Sequence, residues 1–256
     1  MLASAVVILI PLGLVLVLKY PIDHLGWWFV LGTVTFHVFY YLLLAKGYSG
    51  ADLSVVYPIA RGMGPALVPL LGVLVLKETI SPPAIAGIVM VLIGTYTVYW
   101  WGRVSQIFKD PFQFLKEPGV RFALLTGLTI AGYSVWDKVG VSHVNPFLYM
   151  YLLNVGTVAA LAPYILRFHG TKALALEWKS SAWSIVAAGL LDFLAYGLIL
   201  AALTFSRVSY VAPAREVGIV VAVLLGTVVL KESFGRGRLL GSGMIVAGLV
   251  LIALAP

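Results

Sequence analysis

Apolar residues gather in nine long runs, at about 1–18, 25–45, 53–76, 82–101, 121–140, 146–166, 181–203, 208–230 and 237–255. Each approaches the roughly 20 residues a helix needs to cross the hydrocarbon of a bilayer. The links between them are short and hold most of the charged and turn-forming residues. The longest, 102–120, reads GRVSQIFKDPFQFLKEPGV and divides the chain near its middle. The pattern predicts an all-α polytopic membrane protein with about nine transmembrane helices. Residues 1–18 have no basic leader and stay apolar up to Lys19, so they read as a span rather than a cleaved signal.

Composition agrees. The chain is 61% hydrophobic and 11% charged, where a soluble domain carries about 25% charged residues. There is no cysteine, which excludes disulfides, thiolate metal sites and a thiol nucleophile. In a soluble chain the net charge of +7 would point to nucleic acid. Here it is a topology signal, and no nucleic-acid partner is expected. The loops and flanks on the side of Met1 hold eleven Lys and Arg and the opposite side four, which with Arg61 and Arg215 accounts for all 17. Basic residues mark the cytoplasmic side, so that side is expected in the cytoplasm and Pro256 outside. The seven tryptophans, at 27, 28, 100, 101, 136, 178 and 183, fall near span ends, where amphipathic rings settle at the interface.

The chain also repeats itself. A shift of 154 residues aligns 60–94 with 214–248 and makes thirteen of thirty-five pairs identical. Apolar composition gives chance matches of Leu and Val. It does not readily align Arg61 with Arg215, Lys77-Glu78 with Lys231-Glu232, or Gly64, Gly72, Gly87 and Gly94 with Gly218, Gly226, Gly241 and Gly248. The two copies begin on the third and eighth spans, so they run in opposite directions. An inverted repeat is a mark of secondary transporters, whose substrate site lies near the midplane between the halves. The second half has five spans and the first four. This leads to the expectation of a ten-helix fold lacking its first helix, with repeats at 1–101 and 121–256 joined by 102–120.

In each copy a proline early in a helix precedes a Gly-containing apolar run, a Lys-Glu pair and a closing helix with spaced glycines. In this the chain resembles the EamA-like family of the drug/metabolite transporter superfamily. The resemblance covers nearly the whole chain and is weak for substrate. It implies a central cavity with alternating access, serving metabolites, amino acids or drugs at the bacterial inner membrane. It also implies that both termini are cytoplasmic, against the charge count for Pro256.

Arg61 and Arg215 carry the chemistry. Each sits about eight residues into its span, about 12 Å deep at 1.5 Å per residue. An arginine in mid-bilayer costs about 2.5–3.5 kcal/mol on insertion scales, so it belongs in the bundle interior. Under the inverted repeat the pair converges on one electropositive cavity, suited to bidentate pairing with a carboxylate or phosphate. The structural alternative is that each caps carbonyls freed by Pro58 or Pro213, which are read as helix breaks with a gating role. Tyr57, Tyr133 and Tyr196 are further candidate substrate contacts. Asp192 and Glu216 are the candidate proton carriers. Glu216 follows Arg215 by about 100° around a helix and so is expected to point elsewhere. His37 reads as a packing residue, and Asp137-Lys138 as a local ion pair. The glycines seven apart in each closing helix read as a packing face.

No nucleophile–base pair, metal-ligand cluster or phosphate loop is present in the sequence, so no enzyme activity, metal or cofactor is expected. The leading reading is a secondary active transporter for a small polar metabolite, anionic or zwitterionic, acting as a monomer or homodimer, with proton coupling open. The second reading is a multidrug efflux pump for lipophilic cations. It needs an accessible membrane carboxylate in an aromatic box, and two arginines argue against it.

Overall fold

The computed structural model describes residues 1–50, 53–101, 117–229 and 235–255. All regular structure among them is helical: α1 (Leu2–Ile8), α2 (Ile10–Lys19), α3 (His24–Gly50), α4 (Leu53–Leu76), α5 (Pro82–Trp100), α6 (Pro118–Gly140), α7 (Pro146–Phe205), α8 (Val208–Ala214), α9 (Val217–Val228) and α10 (Arg236–Ala253). Six helical stretches are long and apolar enough to cross a membrane, and the α1–α2 pair supplies a seventh as one bent span. The 60-residue α7 leaves helical geometry at Gly170 and Ser181, so it contains two spans rather than one. The 23-residue α6 has spanning length as well. The chain is thus an all-α membrane protein, with about nine spans among the described residues.

Several local readings change. The first span bends by 67° at Leu9. Pro11 explains this: it cannot donate to the Val7 carbonyl, and its ring crowds that turn. The link is helical over 171–180, because residues such as Ala173, Leu174, Ala175, Leu176 and Glu177 are good helix formers. Gly170, at φ 72°, makes the corner before it. Pro58 does not break its helix, since α4 runs uninterrupted through Pro58, Pro65 and Pro69. Pro58 lies within two turns of the helix start, so the bond it forfeits is to a carbonyl at the very beginning of α4.

The described helices form two compact units. One comprises Met1–Phe39 with Trp136–Phe205, and the other Tyr40–Val135 with Ser206–Pro256. Each draws on both halves of the sequence. In the first unit, α1 packs on the second arm of α7, where Gly189 leaves room for the Met1 carbonyl and the Ser4 hydroxyl reaches the Ile185 carbonyl at 3.4 Å.

In the second unit the closing helices α5 and α10 cross with their backbones in contact. A Cβ on Gly94 would lie 2.6 Å from the Gly241 carbonyl oxygen, and one on Gly241 would lie 2.6 Å from the Gly94 oxygen. Gly87 and Gly248 face each other in the same way, at the same distances. Only residues without a side chain allow such an approach.

The same unit shows what Lys77-Glu78 does. Lys77 adopts a left-handed conformation (φ 57°) that ends α4, and the Glu78 N–H turns back to the Gly72 carbonyl at 3.1 Å. The Glu78 carboxylate then accepts the backbone N–H groups of Val208 (2.8 Å) and Ser209 (3.0 Å) and the Ser209 hydroxyl (2.5 Å). These donors open α8, whose own N-cap residue, Arg207, supplies no side-chain cap. Gly72 is required beneath them, because a Cβ there would collide with the Ser209 hydroxyl. Lys231 and Glu232 lie outside the described residues. Glu78→Gln replaces one acceptor oxygen with an amide donor, so it is expected to cost about 1–3 kcal/mol. The check is the thermal unfolding of purified protein in detergent, with Glu78→Asp as a partial rescue.

Candidate functional site

The second unit contains a narrow cleft lined by Arg61, Gly64, Pro65 and Val68 of α4, Ile130 and Ser134 of α6, Ala212 of α8, and Arg215 and Glu216. Local sequence explains the opening. Gly64 contributes no side chain, and Ala212 only a methyl. Pro65 cannot donate to the Arg61 carbonyl one turn earlier.

Arg215 and Glu216 occupy the break between α8 and α9, two residues after Pro213. The chain there is a tight turn with i→i+3 bonds: Glu216 N–H donates to the Pro213 carbonyl at 3.0 Å, Gly218 N–H to Arg215 at 3.2 Å and Ile219 N–H to Glu216 at 2.9 Å. The tighter winding widens the angle between neighbouring side chains. In this turn both side chains nevertheless reach the cleft wall. This corrects the expectation from regular helical spacing, which sent Glu216 elsewhere.

The arginines are held by aromatic rings. An Arg215 Nη donates to the Tyr133 hydroxyl at 3.4 Å. The Arg61 guanidinium lies 6.0 Å from the centroid of the Tyr57 ring, within cation–π range. Tyr57 packs edge-on against Tyr99 at 5.8 Å, and Tyr133 against Tyr40 at 6.1 Å. Glu216 is only 3% exposed. Its Oε2 has no hydrogen-bond partner, while its charge interacts with both Arg61 and Arg215. The cleft therefore presents two guanidinium groups against one carboxylate.

Five of the expected site residues, Arg61, Arg215, Tyr57, Tyr133 and Glu216, thus meet in one unit. Tyr196 and Asp192 belong to the other unit. Asp192 is half-buried on the second arm of α7. Tyr196 donates its hydroxyl to Asp137 at 2.6 Å. Asp137 is fully buried and also accepts the Tyr149 hydroxyl at 2.9 Å. The Asp137-Lys138 ion-pair reading is corrected accordingly, because Lys138 donates to the Leu203 carbonyl at 2.6 Å. Trp136 departs from the interfacial pattern too: its indole N–H donates to the Phe29 carbonyl at 2.9 Å. Sequence reading passed over Asn154, which is 1% exposed with neither amide atom partnered. A lone Asn inside an apolar run was the available signal. Among the described residues no group of three or more His, Asp or Glu side chains could hold a metal ion.

One solved structure, described only as "Crystal structure of protein", superposes with a TM-score of 0.75 at 19% sequence identity, covering 99% of this chain and 84% of that one. At that identity the likeness concerns the fold. No curated protein matches the chain. The model of the EamA-like transporter family matches residues 1–100 and 117–254. With both halves matched and a helical membrane fold between them, the chain belongs to the EamA-like transporter family of the drug/metabolite transporter superfamily.

Proposed function

We propose that this membrane transporter is a secondary active carrier for a small polar metabolite, anionic or zwitterionic, working by alternating access in the bacterial inner membrane as a monomer or homodimer. One observation carries the reading: Arg61 and Arg215, equivalent under the repeat, line one cleft with the buried Glu216, whose Oε2 has no hydrogen-bond partner. The guanidinium pair receives a carboxylate or phosphate. Glu216 receives an ammonium where the substrate has one. Tyr57 and Tyr133 hold the guanidinium planes in position. Of the two membrane carboxylates expected to carry a coupling proton, Glu216 is in the cleft and Asp192 is not among its lining residues.

Uptake into proteoliposomes tests this, with a panel of organic acids, amino acids, sugar phosphates and lipophilic cations, each with and without an imposed pH gradient. Solutes bearing a carboxylate or phosphate are expected to enter. Uptake confined to lipophilic cations would overturn the reading in favour of a multidrug pump.

A further inference from the structure

The first unit encloses a polar group that the cleft does not use. Asp137 lies on α6 with no exposed surface. Facing it are His37 and Thr33 from α3, Tyr149 from the first arm of α7 and Tyr196 from the second. A buried carboxylate is costly unless it is hydrogen-bonded, and each of its oxygens receives one tyrosine hydroxyl.

The hydroxyl of Tyr149 has one hydrogen and two acceptors within reach, Asp137 Oδ1 at 2.9 Å and the Phe29 carbonyl at 3.1 Å. With Asp137 ionised, Tyr149 donates to Oδ1. With Asp137 protonated on Oδ1, the new O–H donates to the Tyr149 oxygen, and Tyr149 turns its own hydrogen to Phe29. Oδ2 accepts from Tyr196 in both states. The heavy atoms serve both protonation states without moving. A second acceptor is close by. His37 stands edge-on to the Tyr196 ring at 5.6 Å. Its Nδ1 lies 2.9 Å from the Thr33 carbonyl. That oxygen can only accept, so the resident proton belongs on Nδ1 and any further proton goes to Nε2.

We propose that Asp137, with Tyr149 and Tyr196, forms a buried proton-binding site that takes up and releases one proton on Oδ1. Any use of that proton in transport rests on the transporter reading, whereas the existence of the proton site does not.

Infrared difference spectra of the purified full chain in lipid, taken between acid and alkaline buffer, test it directly. The wild type is expected to show the C=O stretch of a protonated carboxylic acid at acid pH and to lose it at alkaline pH. Asp137→Asn should abolish that band, while Asp192→Asn keeps it. Tyr196→Phe removes the hydroxyl from the C=O end alone, so the band should persist and shift to higher frequency. If Asp137→Asn does not survive extraction, Tyr196→Phe decides. A band unmoved by Tyr196→Phe, retained in Asp137→Asn, or independent of pH would overturn the proposal. None of these readings depends on whether the Arg61–Arg215 cleft binds an anion, so the two ideas fail separately.

Discussion

Replacing Gly87 and Gly94 together by leucine is expected to lower the stability of the fold by about 2–6 kcal/mol, taking about 1–3 kcal/mol for each overpacked position. A Cβ at either site would come within 2.6 Å of a carbonyl oxygen on α10. The obstacle is backbone, so no rotamer change can relieve it, and α5 and α10 must move apart. In lipid, separated helices lose van der Waals contacts with little hydrophobic force to restore them. At about 2–4 °C per kcal/mol for a chain of this size, the thermal midpoint in detergent should fall by about 4–24 °C. Gly243→Leu is the control, because nothing lies within 4 Å of its added Cβ. Equal midpoints for the double variant and the control would mean that the crossing does not hold the unit together.

Arg215→Gln is expected to weaken substrate binding by roughly ten- to a hundredfold. A hydrogen bond to a charged group contributes about 1.5–3 kcal/mol, and about 1.4 kcal/mol is a factor of ten. Arg61→Gln should act in the same direction. Arg215→Lys should recover part of the loss, because an ammonium keeps the charge but lacks the planar fork. The measurement is affinity for whichever panel solute the wild type transports, on protein shown to be monodisperse. Unchanged affinity in both Gln variants would make the arginines structural and remove the basis for an anionic substrate.

Much of this architecture was legible because bilayer constraints act on local sequence. A span must be about 20 apolar residues wherever it occurs, so the spans announce themselves. A charged residue inside one is conspicuous, which is how Arg61, Arg215 and Glu216 stood out. What escaped depended on contacts between distant segments. Asp137 looked like the partner of its neighbour Lys138, but its donors are 12 and 59 residues away. Nothing local to Glu78 signals that its carboxylate holds backbone 130 and 131 residues further on. Proline gave a mixed signal. Pro11 accompanies a sharp bend, Pro213 precedes a break, and α4 absorbs three prolines without interruption. A proline removes a hydrogen bond wherever it sits. Whether the chain then breaks depends on what packs around the exposed carbonyl.

The crossing of α5 and α10 has one further property. Moving Gly94 and Gly241 through the 154-residue shift exchanges them for Gly248 and Gly87, which is the other contact of the crossing. The interface is therefore its own image, as in a two-fold dimer where one patch meets an identical patch. One spacing of two glycines on one helical face specifies both sides of the joint. A helix with that face recognises an antiparallel copy of itself, so a duplicated and inverted segment arrives with its partner surface already made.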